Sequence, residues 1–247
     1  MCKYSDDQPP LLIEKHASFW QLSLNRPQKR NALSLTLVES LLEALTRAET
    51  ENIPLVVFKG MGKNLCAGFD FSNLEQLSEA DLLLRFVRIE SLLQKIQHSS
   101  CATLALAHGT NMGAGADLIA SCTYRVATPS ARFKMPGLQF GLVLGTRRLK
   151  QLVGAQNALD ILQTSKLFSA QEAHAINFLN QIATQDTWET VITTYLAQTT
   201  TLPADSSLKL RSLLTPDTRA LDMAELVASA AQPDIKKRIR NYIDSFK

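Results

Sequence analysis

An α/β domain followed by a helical C-terminal region is the fold class this sequence predicts. Three observations carry the prediction. Up to about residue 127, short apolar segments of strand length alternate with long amphipathic ones. Two glycine-bearing segments, 62–70 and 108–117, each follow a buried-looking apolar run. From about Ala155 onward the periodicity is helical, apart from short connectors near Phe168 and Pro203.

Each element has its own signal. Extended segments are expected at Leu11–Lys15 and Ser18–Leu24, the second ending at a proline turn, Asn25-Arg26-Pro27. A helix follows from about Ser34 to Glu49, with Leu37, Val38, Leu41, Leu42 and Leu45 at helical spacing. Either Ser34 or Thr36 could cap it, and Thr36 has the Glu39 that a capping box requires. A short strand, Leu55–Phe58, leads into the loop Gly60–Asp70. A second helix from about Ser78 to His98 is capped by Ser78 with Asp81, and Leu82, Leu83, Phe86, Ile89, Leu93 and Ile96 form its apolar face. A strand at Thr103–Ala107, a helix at Gly113–Ser121 and a strand around Tyr124–Ala127 complete the alternation, which suits stacked strand–strand–helix turns. The last helix, from Asp234, repeats Ile235, Ile239, Tyr242, Ile243 and Phe246. The 247 residues suit a core over 1–195 and a C-terminal helical region over 196–247.

Composition narrows the function classes. With 45% apolar and 20% charged residues the chain has an ordinary globular balance. A net charge of +3, with no clustered basic stripe interleaved with aromatics, argues against a nucleic-acid partner. The mild excess would suit a polyphosphate ligand. Cys2, Cys66, Cys101 and Cys122 form no CxxC and no zinc spacing, so no metal is expected and free thiols in a reducing compartment are. No apolar run reaches membrane-span length and the N-terminus lacks a signal core, so a cytoplasmic, membrane-free protein is expected.

The chemistry concentrates in the two glycine segments. One is Gly62-Lys63-Asn64-Leu65-Cys66-Ala67-Gly68-Phe69-Asp70; the other runs from His108 through Gly109, Gly113, Ala114 and Gly115 to Asp117. Glycine lets a chain turn sharply and lets a ligand approach the backbone. The second segment opens a helix, whose first N–H groups lack intrahelical partners and suit a developing oxyanion. Neither segment has the spacing of a P-loop or of a GxGxxG dinucleotide fingerprint.

Together and in this order, these segments resemble the crotonase (enoyl-CoA hydratase/isomerase) superfamily. Asn25-Arg26-Pro27 with Asn31-Ala32-Leu33, Cys66 to Asp70, Gly109 to Cys122, Phe133/Pro136/Gly141 with Arg148-Leu149, and Ser169 to Ala173 carry the resemblance over roughly residues 11–185. It implies a crotonase-like spiral of stacked ββα turns with a C-terminal helical region that builds a homotrimer, or a hexamer made of two trimers. It implies an acyl-CoA thioester as partner, with coenzyme A part of the substrate and no separate cofactor. The thioester oxygen would sit between the backbone N–H groups of Phe69 and Ala114. Asp117, three residues after Ala114 and so on the same helix face, would handle a proton. Hydratases of the family carry Glu there; Asp reaches about 1.5 Å less. For coenzyme A the resemblance points to Ala67, Phe69, Asp70, Phe71 and Ser72, with Lys63 and Lys29 placed for phosphates. Arg30, Lys236, Lys237 and Arg238 are further candidates.

The chain departs from the hydratase pattern where the family's second Glu would follow Phe133-Lys134-Met135-Pro136. Gly137 stands there, the next loop is short, and no carboxylate occurs between Asp117 and Asp160. Hydration needs one group to activate water and one to deliver a proton. His108, Asn111, Gln139, Thr146, Arg147 and Arg148 are the polar residues left to substitute, and an arginine there could hold a substrate carboxylate. Two readings stay open: an enolate-forming acyl-CoA enzyme of the hydratase/isomerase type, including a single-carboxylate isomerase, hydrolase or decarboxylase, and a non-catalytic acyl-CoA binder.

Overall fold

The computed structural model describes residues 8–245. Cys2 and Phe246, both named above, lie outside them. Strands β1 (Leu11–Lys15) and β2 (Phe19–Leu24) form an antiparallel hairpin that opens a six-stranded sheet. To β2 are added, all in parallel, β3 (Leu55–Gly60), β4 (Ala102–Ala107), β6 (Tyr124–Ala127) and β9 (Gln181–Ile182). A second sheet joins β5 (Thr110–Met112), β7 (Arg132–Lys134) and β8 (Phe168–Ser169). Successive strands of the alternation add in parallel to the large sheet, while β5, β7 and β8 form the second sheet, so the turns stack. Strands β3 and β4 are buried almost throughout and lack the polar alternation of a half-exposed strand.

The helices lie where the periodicity puts them. Helix α1 (Leu35–Thr50) is capped by Ser34, whose hydroxyl accepts from the Leu37 N–H; Thr36 lies inside the helix. Helix α2 (Glu79–Gln97) has the expected capping box between Ser78 and Asp81. Helix α3 (Ala114–Ser121) is buried along its whole length. Helix α4 (Thr146–Thr164) starts earlier than expected, so Arg147 and Arg148 belong to its first turn and not to a loop. Gly154, at φ 78 and ψ 165, breaks α4 in two, which is why only the part after Ala155 has a clear helical period. Helix α5 (Ala170–Ala175) is short, and α6 (Trp188–Thr199) covers the outer face of the large sheet through Trp188, Val191, Ile192 and Tyr195.

The remaining C-terminal helices are α7 (Ala204–Leu214), α8 (Arg219–Ala230) and α9 (Ile235–Asp244). Helix α8 packs on α2, and α9 packs on the turn 137–140. Ile235 and Ile239 are buried, so part of the apolar stripe of α9 is covered by its own chain.

Candidate active site

The proline turn at 25–33 acts as a clamp on the first glycine loop. Asn31 takes a positive φ of 55 and is buried. Its amide donates to the Met61 and Asn64 carbonyls, and its side-chain oxygen accepts from the Arg26 N–H. The Arg30 carbonyl accepts from the Ala67 N–H and from the Asn64 amide, while Leu33 N–H donates to Gly68. Asn111 ties the second loop to the first: its oxygen accepts from the Cys66 N–H, and its amide donates to the His108 and Gly109 carbonyls.

Two glycines let the loops touch. A Cβ on Gly68, which has φ +89, would lie 2.3 Å from the Met112 carbonyl oxygen and 3.3 Å from the Ala114 nitrogen. A Cβ on Gly115 would lie 2.2 Å from the Cys66 carbonyl oxygen. Backbone therefore meets backbone, and Phe69 and Ala114 are brought to the same cavity. Among the described residues, neither of their N–H groups has a protein partner.

That cavity has a volume of about 370 Å³. Its walls are mainly apolar, with Phe71, Phe86, Ile89, Leu142, Leu162 and Ile243 among them. Arg30, Asp117 and Tyr242 are the ionisable residues that line it, and Asp117 is the one carboxylate among the described residues that does so. Ala67 also lines it, as does Gly137, so the position after Pro136 faces the cavity without a side chain.

Asp117 is 3% exposed, and its Oδ1 has no hydrogen-bond partner. Burial pushes the carboxyl up to about 8, opposed by the charge of Arg148 and reinforced by Glu90. Gly145, at φ +67, makes room: a Cβ there would lie 1.9 Å from Oδ1. Behind Asp117 stands a buried ion pair, Arg148 Nη2 to Glu90 Oε1 at 3.1 Å. Gln97 accepts from Arg148 Nε, and the Gln94 amide donates to Glu90. Sequence reasoning missed Glu90, although a carboxylate four residues after Phe86 and three before Leu93 interrupts the apolar face of α2.

The other candidates separate into groups. Lys29, Asp70 and Ser72 line a second, more polar hollow of about 650 Å³, together with Arg26 and Arg85. Consecutive residues thus diverge: Phe69 and Phe71 face the apolar cavity, while Asp70 and Ser72 face the other hollow. Asp70 pairs with Arg26 at 2.7 Å and accepts from the Ser72 N–H, and these partners hold its carboxyl below the usual range despite partial burial. Lys63 is exposed and lines neither hollow. Lys236 and Arg238 spend their charge on backbone carbonyls, Glu75 and Leu77 for the first and Phe140, Ser229 and Gln232 for the second. Arg147 pairs with Asp222 and Glu225. His108 hydrogen-bonds the Gly62 carbonyl at 3.0 Å, sits beside Trp188 and has its basicity lowered by burial; it does not line the apolar cavity. The Cys66 thiol is pushed up to about 12 by burial, which removes it as a nucleophile.

With this geometry in place, comparison with known proteins is decisive. The model of the enoyl-CoA hydratase/isomerase family matches residues 14–239. The chain belongs to the enoyl-CoA hydratase/isomerase family. Among curated relatives, it is 31% identical over 192 residues to the zebrafish (Danio rerio) mitochondrial enoyl-CoA hydratase domain-containing protein 3, covering 76% of this chain and 66% of that one. It is 28% identical over 182 residues to the peroxisomal Delta(3,5)-Delta(2,4)-dienoyl-CoA isomerase of Arabidopsis thaliana, covering 67% of this chain and 66% of the isomerase. The match thus spans just under two thirds of these curated relatives. A solved candidate enoyl-CoA hydratase/isomerase from Bordetella parapertussis is 49% identical, with a TM-score of 0.94 over 96% of this chain and 99% of that one. An enoyl-CoA hydratase from Bacillus halodurans shares the fold at 22% identity and a TM-score of 0.83, over 94% of this chain and 99% of that one. The crotonase fold with a C-terminal helical region is therefore that of this family member.

Proposed function

We propose that this family member binds an acyl-CoA with an apolar acyl group and shifts a double bond through a thioester enolate. One observation carries the reading: a single carboxylate, Asp117, faces an apolar cavity in which two unpaired backbone N–H groups also end. In the proposed reaction the Asp117 carboxylate takes a proton from the α-carbon of a 3-enoyl thioester. The C–H electron pair moves into a dienolate whose oxygen accepts hydrogen bonds from the Phe69 and Ala114 N–H groups. The same carboxyl returns the proton to the γ-carbon, leaving the conjugated 2-enoyl thioester. One group suffices because the proton leaves and re-enters from one side. Hydration would need a second group near Gly137, which has no side chain to offer.

Neither Arg147 nor Arg148 lines the apolar cavity, and Arg147 is paired with Asp222 and Glu225, which argues against a carboxylated acyl group. We assign the nucleotide end of coenzyme A to the mouth near Arg30 and the hollow containing Lys29, Asp70 and Ser72. Lys63 remains a phosphate candidate on the surface beyond. Residues 196–247 serve in this reading as lid and assembly region, with a homotrimer or a pair of trimers as the working form.

The test compares 3-enoyl-CoA and 2-enoyl-CoA substrates, native protein against Asp117→Asn. Conjugated 2-enoyl product should form, and the variant should lose at least about 100-fold in turnover while retaining acyl-CoA binding. Because the base form does the work, native turnover should rise with pH and level off above about 8. Hydration as the main reaction, surviving Asp117→Asn, would overturn the proposal. Tight binding without turnover on any substrate would favour the non-catalytic binder.

A further inference from the structure

Behind the cavity, three helices bring together three polar groups that the proposed reaction does not use fully. Asp117 Oδ1 on α3, Arg148 Nη1 on α4 and Glu90 Oε2 on α2 are each buried, and each lacks a hydrogen-bond partner. One other end of each of the last two is engaged: Arg148 Nη2 with Glu90 Oε1, at side-chain exposures of 2% and 1%. Asp117 Oδ1 and Arg148 Nη1 both approach the point where a Gly145 Cβ would stand, at 1.9 and 3.5 Å. Gly145 therefore keeps open the line between guanidinium and carboxyl, and any side chain there would close it.

We propose that Glu90 and Arg148 are positioning residues for Asp117, their buried ion pair setting how much of the guanidinium's charge reaches the rear of the carboxyl. The inference rests on Asp117 being the proton-handling group. The charge count explains the device. Two carboxylates share one guanidinium in a place that water screens poorly. Fully ionised, the trio carries one uncompensated negative charge, so one carboxyl is held protonated more strongly than the other. Glu90 already takes the guanidinium's direct bond, whereas Asp117 Oδ1 is buried without a partner, and burial raises the Asp117 carboxyl. Consistent with this, Arg148 and Glu90 act on Asp117 in opposite directions.

The surrounding charges are few. From α2 the ionisable group facing Asp117 is Glu90, and from α4 it is Arg148. The Gly145 loop and the turn 137–140 contribute none. Across the cavity stand Arg30 and Tyr242. His98, at the end of α2, lies beyond Arg148 and feels Arg148 rather than Asp117.

The experiment replaces Glu90→Gln, nearly isosteric and still able to accept from Arg148 through its oxygen. The guanidinium's counter-charge must then come from Asp117, so the midpoint of the pH–turnover profile should fall by about one unit. Arg148→Gln should move it the opposite way. The same two shifts should appear when the Asp117 carboxyl, isotopically labelled, is titrated by nuclear magnetic resonance in the absence of substrate. That second readout separates the two proposals: a shifted carboxyl titration without any turnover would keep the positioning role and remove the isomerase reading. A Glu90→Gln protein that is folded but leaves the Asp117 titration unmoved would overturn the inference and make the pair a packing feature. Should Arg148→Gln not fold, Glu90→Gln alone decides.

Discussion

Asp117 places its carboxyl where charge is expensive, and that has a consequence for folding as well as for turnover. Its carboxyl is raised from 3.8 to about 8 by burial. Between those values the folded chain binds a proton that the unfolded chain releases. The stability this proton confers is complete below about 4 and is lost as pH rises through 8, with a limiting slope of about 1.4 kcal/mol per pH unit. Asp117→Asn cannot ionise, so it should flatten this fall and be more stable than the native chain above pH 8. Denaturant melts at a series of pH values check it; parallel slopes for the two proteins would refute it. The spacing of Asp117 after Ala114 was readable in the sequence because helix geometry fixes which residues share a face. Glu90, 27 positions earlier by numbering on α2, was not, because its partner Arg148 is identified only when three helices converge. Gly145 was equally hidden: a glycine's role here depends on the carboxylate its absent Cβ spares.

At the scale of elements, the two glycine loops work as one piece because Gly68 and Gly115 let their backbones meet. Gly68→Ala would put a Cβ 2.3 Å from the Met112 carbonyl oxygen at a φ of +89 that L-residues seldom adopt. The loops must then part, moving the Phe69 N–H away from that of Ala114. Turnover should drop by about 10²–10³, the usual loss for one oxyanion donor, with a stability cost of about 1–3 kcal/mol from overpacking. Kinetics beside a thermal melt distinguish the two; unchanged kcat would show that Phe69 is not a donor. Most elements were legible because their signals are local. The Ser78–Asp81 box formed as read, and the apolar runs expected as strands at 55–58 and 103–107 became central strands, each a little longer than expected. The strands β8 and β9, two residues each, were not legible, since so short a strand exists only through its pairing partner. The early start of α4 was masked by the break at Gly154, which divides its apolar period.

At the scale of the whole molecule, α7 presents a leucine-rich exposed surface. None of its residues is buried, and Leu208, Leu210, Leu213 and Leu214 are exposed, the last two at 70% and 74%. Arg211 fixes the helix to the core through the Ser100 carbonyl, so these leucines face outward from a fixed position. Such a patch calls for cover, and in the proposed trimer neighbouring copies supply it. Light scattering at micromolar concentration should find three chains or a multiple of three, and Leu213→Ser with Leu214→Ser should shift the population toward single chains. A native monomer would refute the assembly.

Helix α9 adds a different kind of linkage. It supplies Tyr242 and Ile243 to the cavity wall, and its Arg238 donates to the carbonyl of Phe140, which lines the same wall with its ring 5.2 Å from that of Tyr242. Whatever fills the cavity touches this strap and the turn it is docked on, so occupancy and the docking of α9 share one free energy. A chain whose strap is loosened would have to order it on binding, and the affinity lost would equal the order gained. Substitutions at Arg238, remote from any reacting atom, therefore act on ligand affinity through the population of docked helix, while leaving the proton chemistry of Asp117 as it was.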